Sequence, residues 1–477
     1  MLRLGLMLAL VAVAAAKRFE GQLVRVEGLP EETWAVIGAD GILTPLGKGV
    51  VPPRKDKDGA EIVAGSRVIM YCASIDANGQ CTYLTSADAS VLAPAPAPSS
   101  AKTPLKMRPL VMILDLTSCN ALYTPQVTPS SISTTYLGPN LDAQGGHAIK
   151  FEQCSYSTLT INATGFKALT VAPACTSALA ACSIGDIQAA ADTAAKAIIG
   201  TTAFSSYTHY TYVLPTSMDS VCGGWMGLAL LGGPPNWVWI KSHSMAVDRW
   251  ATVMQENLHT SMGRGDVCPN APELYRMGWA SPLANLSATD LSSAGSTRTY
   301  NLPATYLTAT GNHLRIKPDW LAGYSTNPNA FKNLYLSVRA AKYADAALLT
   351  EFASTISIHE INATCDNAFP NLKTDDPILT FVSAIASGSQ LDLPSYSMVV
   401  YGGAWVGTDI MRVHVCRYVS SASECPTLAA LEARPSPPRP PSPLPPSPPK
   451  ASPSPSPSPT STSSKPATGK GRRMLRL

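Results

Sequence analysis

The stretch from Arg434 to Pro459 consists almost wholly of Ser-Pro and Pro-Pro steps. Proline fixes φ and has no N–H to donate. Such a stretch cannot enter a helix interior or a sheet, and reads as an extended polyproline II rod. Ala93-Pro94-Ala95-Pro96-Ala97-Pro98 is a shorter break of the same kind. These two breaks bound what can fold. Residues 431–477 read as a Ser/Pro-rich disordered tail and 92–104 as a Pro/Ala linker, and the rest is too long for one ordinary core.

Ahead of the folded part, Met1-Leu2-Arg3 is basic, Leu4 to Ala16 is apolar, and Ala14-Ala15-Ala16 offers a small-residue cleavage site. Residues 1–16 read as a signal peptide, because the run is too short to span a bilayer. No later run is long enough, so no stable membrane span is expected. Eleven cysteines follow the leader, and in an oxidising compartment most should pair. Cys72/Cys81, Cys175/Cys182 and Cys416/Cys425 are near enough in sequence to close small loops. The sequons at Asn162, Asn285 and Asn362 agree with secretion as a glycoprotein. Net charge is only +4, with Lys and Arg scattered, which argues against nucleic-acid binding.

The fold class expected is α+β and multi-domain. Residues 17–91 alternate as in strands at Gln22–Val26 and Ser66–Tyr71, giving a small N-terminal β-domain and a candidate prodomain. Residues 105–295 mix an apolar strand at Leu110–Leu114, a Thr128-Pro129 helix start, an Ala-rich helix from Ile184 to Ile199, and strands at Tyr207–Leu214 and Trp237–Ile240. Residues 296–430 return to strand patterns at 334–338, 355–359, 398–401 and 411–415, which reads as a C-terminal β-sandwich.

One short helix carries candidate chemistry: Gln255-Glu256-Asn257-Leu258-His259. Residues four apart share a helix face, so two ligands at that spacing can hold one metal, with the Glu beside the first polarising water. By spacing alone this is a polar patch on an amphipathic helix. The block behind it, Ser261-Met262-Gly263-Arg264-Gly265-Asp266-Val267-Cys268-Pro269 through Glu273 to Trp279, changes that weighting. Read with Phe151-Glu152-Gln153-Cys154-Ser155-Tyr156-Ser157 and Cys222-Gly223-Gly224-Trp225-Met226-Gly227-Leu228-Ala229, it resembles the gametolysin family of green-algal matrix metalloproteases, peptidase family M11. The resemblance runs over roughly residues 105–430.

The resemblance implies a metzincin-like α/β domain with a five-stranded mixed sheet, a zinc cofactor, and peptide-bond hydrolysis. Glu256 matches the general base, Gln255 and His259 the first two metal ligands, and Met262 the methionine turn beneath the metal. The stretch from Gly227 to Ile240 would supply an edge strand that holds an extended peptide. Implied partners are Pro-rich extracellular-matrix or cell-wall glycoproteins. The chain departs from the pattern after His259, where Met262 stands at the Gly position and Gly265 at the third-ligand position. A segment carrying that Gly and the third His is missing between His259 and Met262. His243, Asp266 and Cys268 are the nearest substitutes, with Cys268 assigned to a disulfide. His147, His209, His359 and His414 read as ordinary structural residues. The expected function is a secreted zinc endopeptidase of gametolysin type, the alternative a catalytically inactive cell-wall glycoprotein.

Overall fold

The computed structural model describes residues 16–26, 33–76, 80–95, 104–231, 236–258, 265–369 and 379–434. The leader, most of the linker and nearly all of the Ser/Pro tail lie outside the described residues, as do His259 and Met262.

In chain order the strands are β1 Lys17–Val26, β2 Thr33–Ile37, β3 Leu43–Pro45, β4 Arg67–Cys72, β5 Ala89–Ala93, β6 Leu105–Met107, β7 Pro109–Leu114, β8 Leu159–Ile161, β9 Lys167–Val171, β10 His209–Leu214, β11 Gly227–Leu231 and β12 Asn236–Lys241. The helices among and after them are α1 Pro129–Leu137, α2 Gly146–Cys154, α3 Ser177–Ala180, α4 Ile184–Ile199, α5 Thr201–Phe204, α6 Asp219–Cys222, α7 Trp250–Leu258 and α8 Ala271–Arg276. Thr128 caps α1, with its side chain accepting from the Ser131 N–H and Pro129 opening the first turn.

The central strands run in the order β9-β7-β10-β12-β11. All are parallel except β11, which pairs antiparallel with β12. Every residue of β7 and of β10 is buried, as a strand covered on both faces requires. On one face Val111, Ile113, Val213 and Ile240 pack with Ile132 of α1, Phe151 of α2 and Trp250, Val253 and Met254 of α7. On the other, Leu110, Met112, Tyr212 and Trp239 pack with Ile187, Ala191 and Ala195 of α4. Each large apolar side chain buried this way contributes about 1.5–3 kcal/mol.

The sheet does not end at β11. β1 pairs antiparallel with β11, joining Arg25 to Leu231 and Val26 to Leu230. β2 and β4 flank β1, β3 adds to β2 and β5 to β4, so the N-terminal strands extend the central sheet. Their alternation splits between two cores. Phe19, Leu23 and Val36 face an N-terminal cluster with Leu46, Val68 and Met70, whereas Val24, Val26, Ala35, Ile37 and Leu43 join the core beneath α4.

Towards the C-terminus come β13 Ala284–Leu286, β14 Thr297–Pro303, β15 His313–Ile316, β16 Lys332–Arg339, β17 Thr355–Asn362, β18 Leu379–Ala386, β19 Ser389–Leu393, β20 Met398–Trp405 and β21 Ile410–Arg417, with helices α9 Ala363–Ala368 and α10 Leu428–Glu432. They build one sheet in the order β13-β15-β16-β17-β18 and another in the order β14-β21-β20-β19. Leu314, Leu336 and Ile358 from the first meet Leu302, Val400 and Val413 from the second in one core. Asp366 of α9 anchors the first sheet from within. It is 1 % exposed, and accepts from Arg315 Nε at 2.8 Å and Tyr335 Oη at 2.6 Å.

Five disulfides cross-link the described chain. Cys72–Cys81 and Cys416–Cys425 close the small loops expected. Cys175 and Cys182 are not partners. They flank α3 and reach outward in different directions, Cys175 to Cys119 after β7 and Cys182 to Cys222 at the end of α6. Cys154 pairs with Cys268. Cys365, on α9, is buried and lies outside these five bridges. Among the described residues no helix is long and apolar enough to cross a membrane.

Candidate active site

Helix α7 is fixed by its first five residues, Trp250 to Met254, all buried. They lock its face onto the central sheet, so the residues that follow emerge at the rim beside β11 and β12. Gln255 is exposed there and Glu256 half-buried. Asn257 turns back, its Nδ2 donating to the Val253 carbonyl at 2.7 Å.

Glu256 lies directly against the start of β11. A Cβ added to Gly227 would stand 2.5 Å from Glu256 Cγ and 2.7 Å from its Oε1. Real atoms do not approach so closely, so the absent side chain at Gly227 is what lets the carboxyl sit over the strand. The motif stretch Cys222 to Ala229 contained this glycine, but nothing in its spacing pointed to the carboxyl it accommodates.

The loop leading into β11 is pinned from β12. Lys241, fully buried at its side chain, donates to Asp219 Oδ1 at 2.5 Å and to the Gly223 carbonyl at 3.4 Å. Its ammonium also lies 4.5 Å from the Trp225 ring centroid, a cation–π contact. Behind α7, His147 is buried and its Nε2–H donates to the Val247 carbonyl at 2.9 Å. Burial pushes its pKa down to about 4, against the opposing pull of that hydrogen bond and of Asp266, so this imidazole is a neutral structural group.

After α7 the chain is held from a distance. Cys268 is bonded to Cys154 of α2. Its N–H donates to Asp345 Oδ1 at 2.8 Å, and its carbonyl accepts from Arg339 Nη2 at 2.9 Å. These C-terminal residues were not found by sequence reasoning, since no local pattern links positions so far apart.

The donor set does not fit a catalytic zinc, which requires three protein ligands of nitrogen, sulfur or carboxylate type and one open position. Gln255 offers only an amide oxygen, and His259 lies outside the described residues. Gly265, at the place of the third ligand, has no side chain. Its φ of 99° belongs to the region that favours glycine, so a histidine there would be strained. The substitutes are committed elsewhere: His243 Nδ1 accepts from the Met245 N–H at 3.0 Å, Asp266 pairs with Arg249 Nε at 2.7 Å, and Cys268 is in its disulfide. Among the described residues no group of three or more His, Cys, Asp or Glu could hold a metal ion.

The other histidines are structural. His209 is buried on β10, and His414 Nε2 meets Glu432 Oε1 at 2.7 Å. His359 is half-buried on β17 against Phe381, with ring centroids 5.5 Å apart. Of the three sequons, Asn285 is exposed on β13. Asn162 and Asn362 are half-buried, and each accepts backbone N–H groups as a cap, from Gly165 and from Thr364 and Cys365.

The family model described as gametolysin peptidase M11 matches residues 108–261 and 259–395. The two segments overlap at His259–Ser261, the place where the sequence departs from the expected ligand pattern. No curated protein and no solved structure matches the chain. The matched residues make up more than half of the sequence and contain α2, α7, β11 and the Cys154–Cys268 disulfide, which ties the chain after α7 to α2. The chain therefore belongs to the gametolysin family, peptidase M11, a family of metallopeptidases.

Proposed function

We propose that this protein acts on Pro-rich extracellular-matrix or cell-wall glycoproteins as a secreted gametolysin-type endopeptidase whose hydrolytic step is impaired by an incomplete zinc site. The observation that carries the reading is Glu256, seated on Gly227 where β11 begins. A carboxylate so placed lies beside any peptide running along that strand. It can take a proton from the attacking water and return it to the leaving amine. Gln255 and His259 are the residues that would touch the metal, and Met262 the residue beneath it.

Backbone groups of β11 hold the peptide by strand addition. Proline is compatible with this, because an edge-paired antiparallel strand directs only every second N–H towards its partner. A Ser-Pro alternation can therefore present serine N–H groups to β11 and proline rings away from it. Secretion is supported by the leader-like residues 1–16 and by the disulfides.

The second reading is peptide binding without cleavage, favoured by the short donor set. The two part company in one experiment. Mature protein is incubated with a Ser-Pro-rich glycoprotein at increasing zinc, and released peptides are followed by mass spectrometry. Slow release that rises with zinc and stops with chelator is the expected result. Binding with no release at any zinc concentration would leave only the second reading, and neither binding nor release would remove both.

A further inference from the structure

We propose that the N-terminal strands are a permanent wall of the peptide-binding edge and not a removable inhibitory segment. The inference rests on the reading that β11 holds an extended peptide. β1 occupies the outer edge of β11 at Leu230 and Leu231, so a peptide pairing at Gly227 to Ala229 meets β1 on one side. No other described strand pairs with that outer edge. β1 therefore sets how far a bound chain can run on that side of Glu256.

A prosegment that leaves must leave a folded enzyme behind, and two observations oppose this here. First, Val24, Val26, Ala35, Ile37 and Leu43 lie in the same core as Leu228, Leu230, Ile187 and Trp239. Their loss would remove part of the cover on that face of the central sheet, leaving it to α4 alone among the partners named above. Second, the N-terminal strands meet α4 backbone to backbone: a Cβ on Gly185, in its first turn, would lie 2.9 Å from the Leu43 carbonyl oxygen. No disulfide reinforces this contact. Cys72 and Cys81 are bonded to each other, and the remaining disulfides join residues beyond the linker. Packing alone must hold the wall.

That last point makes the proposal testable. A site for a specific protease is inserted between Ser99 and Ser100 of the full mature chain, and the linker is cut. The two pieces are expected to co-elute on native size exclusion and to separate only in denaturant. Hydrogen exchange across Leu228–Leu231 is expected to stay within about threefold of the uncut protein, as an intact β1–β11 pair requires. Spontaneous separation of the N-terminal piece, with faster exchange at Leu230–Leu231, would overturn the proposal. This outcome does not depend on zinc or hydrolysis. If the pieces stay together but no Ser-Pro peptide binds, the permanence of the N-terminal strands stands, and the reading of β11 as a peptide-binding strand falls with the proposed function.

Discussion

Replacing Glu256 with glutamine is expected to lower the peptide hydrolysis rate by about 10²–10⁴-fold, the usual contribution of a positioned acid–base group. Stability should change by no more than about 0.5 kcal/mol, as for other substitutions away from the core. The two effects separate because of how α7 is built. Its buried residues end at Met254, and Glu256 touches the sheet at Gly227, which makes room for it. Glutamine keeps the size of the side chain and fills the same space, but cannot accept a proton from water. Zinc-dependent hydrolysis at the wild-type rate in Glu256→Gln would mean that this carboxyl is not the proton carrier.

The largest stability effect is expected at the disulfide beneath the site. Cys154 and Cys268 are 114 residues apart in sequence. Cross-linking a loop of that order removes chain entropy worth about 4.7 kcal/mol from the unfolded state. Cys416 and Cys425 are 9 apart, and the same relation assigns their small loop about 2 kcal/mol less. The Cys154→Ala/Cys268→Ala pair should therefore lower Tm clearly more than Cys416→Ala/Cys425→Ala, by thermal denaturation under otherwise equal conditions. The first pair should also loosen the chain that follows α7, since Cys268 carries the hydrogen bonds to Asp345 and Arg339. Equal losses for the two pairs would show that the long bridge does not constrain the unfolded chain.

Much of the fold could be read locally. β7 is a continuous apolar run. The Ala-rich stretch from Ile184 to Ile199 is α4, and Thr128-Pro129 starts α1 as its chemistry demands. Cysteines nine residues apart paired as expected. What sequence did not reveal is long-range. The β1–β11 pair joins residues about two hundred positions apart, and each strand alone shows only a short apolar alternation with no mark of its partner. Cys175 lies close to Cys182 in sequence, yet α3 between them turns each towards a different neighbour.

The candidate site divides in the same way. Gln255 and Glu256 stand out through their motif context, and the structure sets Glu256 against Gly227 of β11, a strand that pairs with both β12 and β1 and so is not the sheet edge expected from the sequence. The seat at Gly227 was not legible, because it depends on a close approach between a helix and a strand that one-dimensional spacing does not encode. His259 and Met262 fall outside the described residues. The shortfall in metal donors was legible, and Gly265 illustrates why it cannot be repaired in place: its backbone conformation and its missing side chain both exclude a ligand there.

The most direct test is the zinc affinity of the purified mature protein, measured by competition with a chromophoric chelator, for wild type and Gln255→His. With one imidazole and one amide oxygen as donors, the wild-type chain should hold zinc weakly and lose it on dialysis. Even outer partners of metal ligands change affinity by about 10–100-fold, so an added imidazole one turn before His259 should tighten binding at least about tenfold. Tight, stoichiometric zinc in the wild-type chain, unchanged by Gln255→His, would contradict the account.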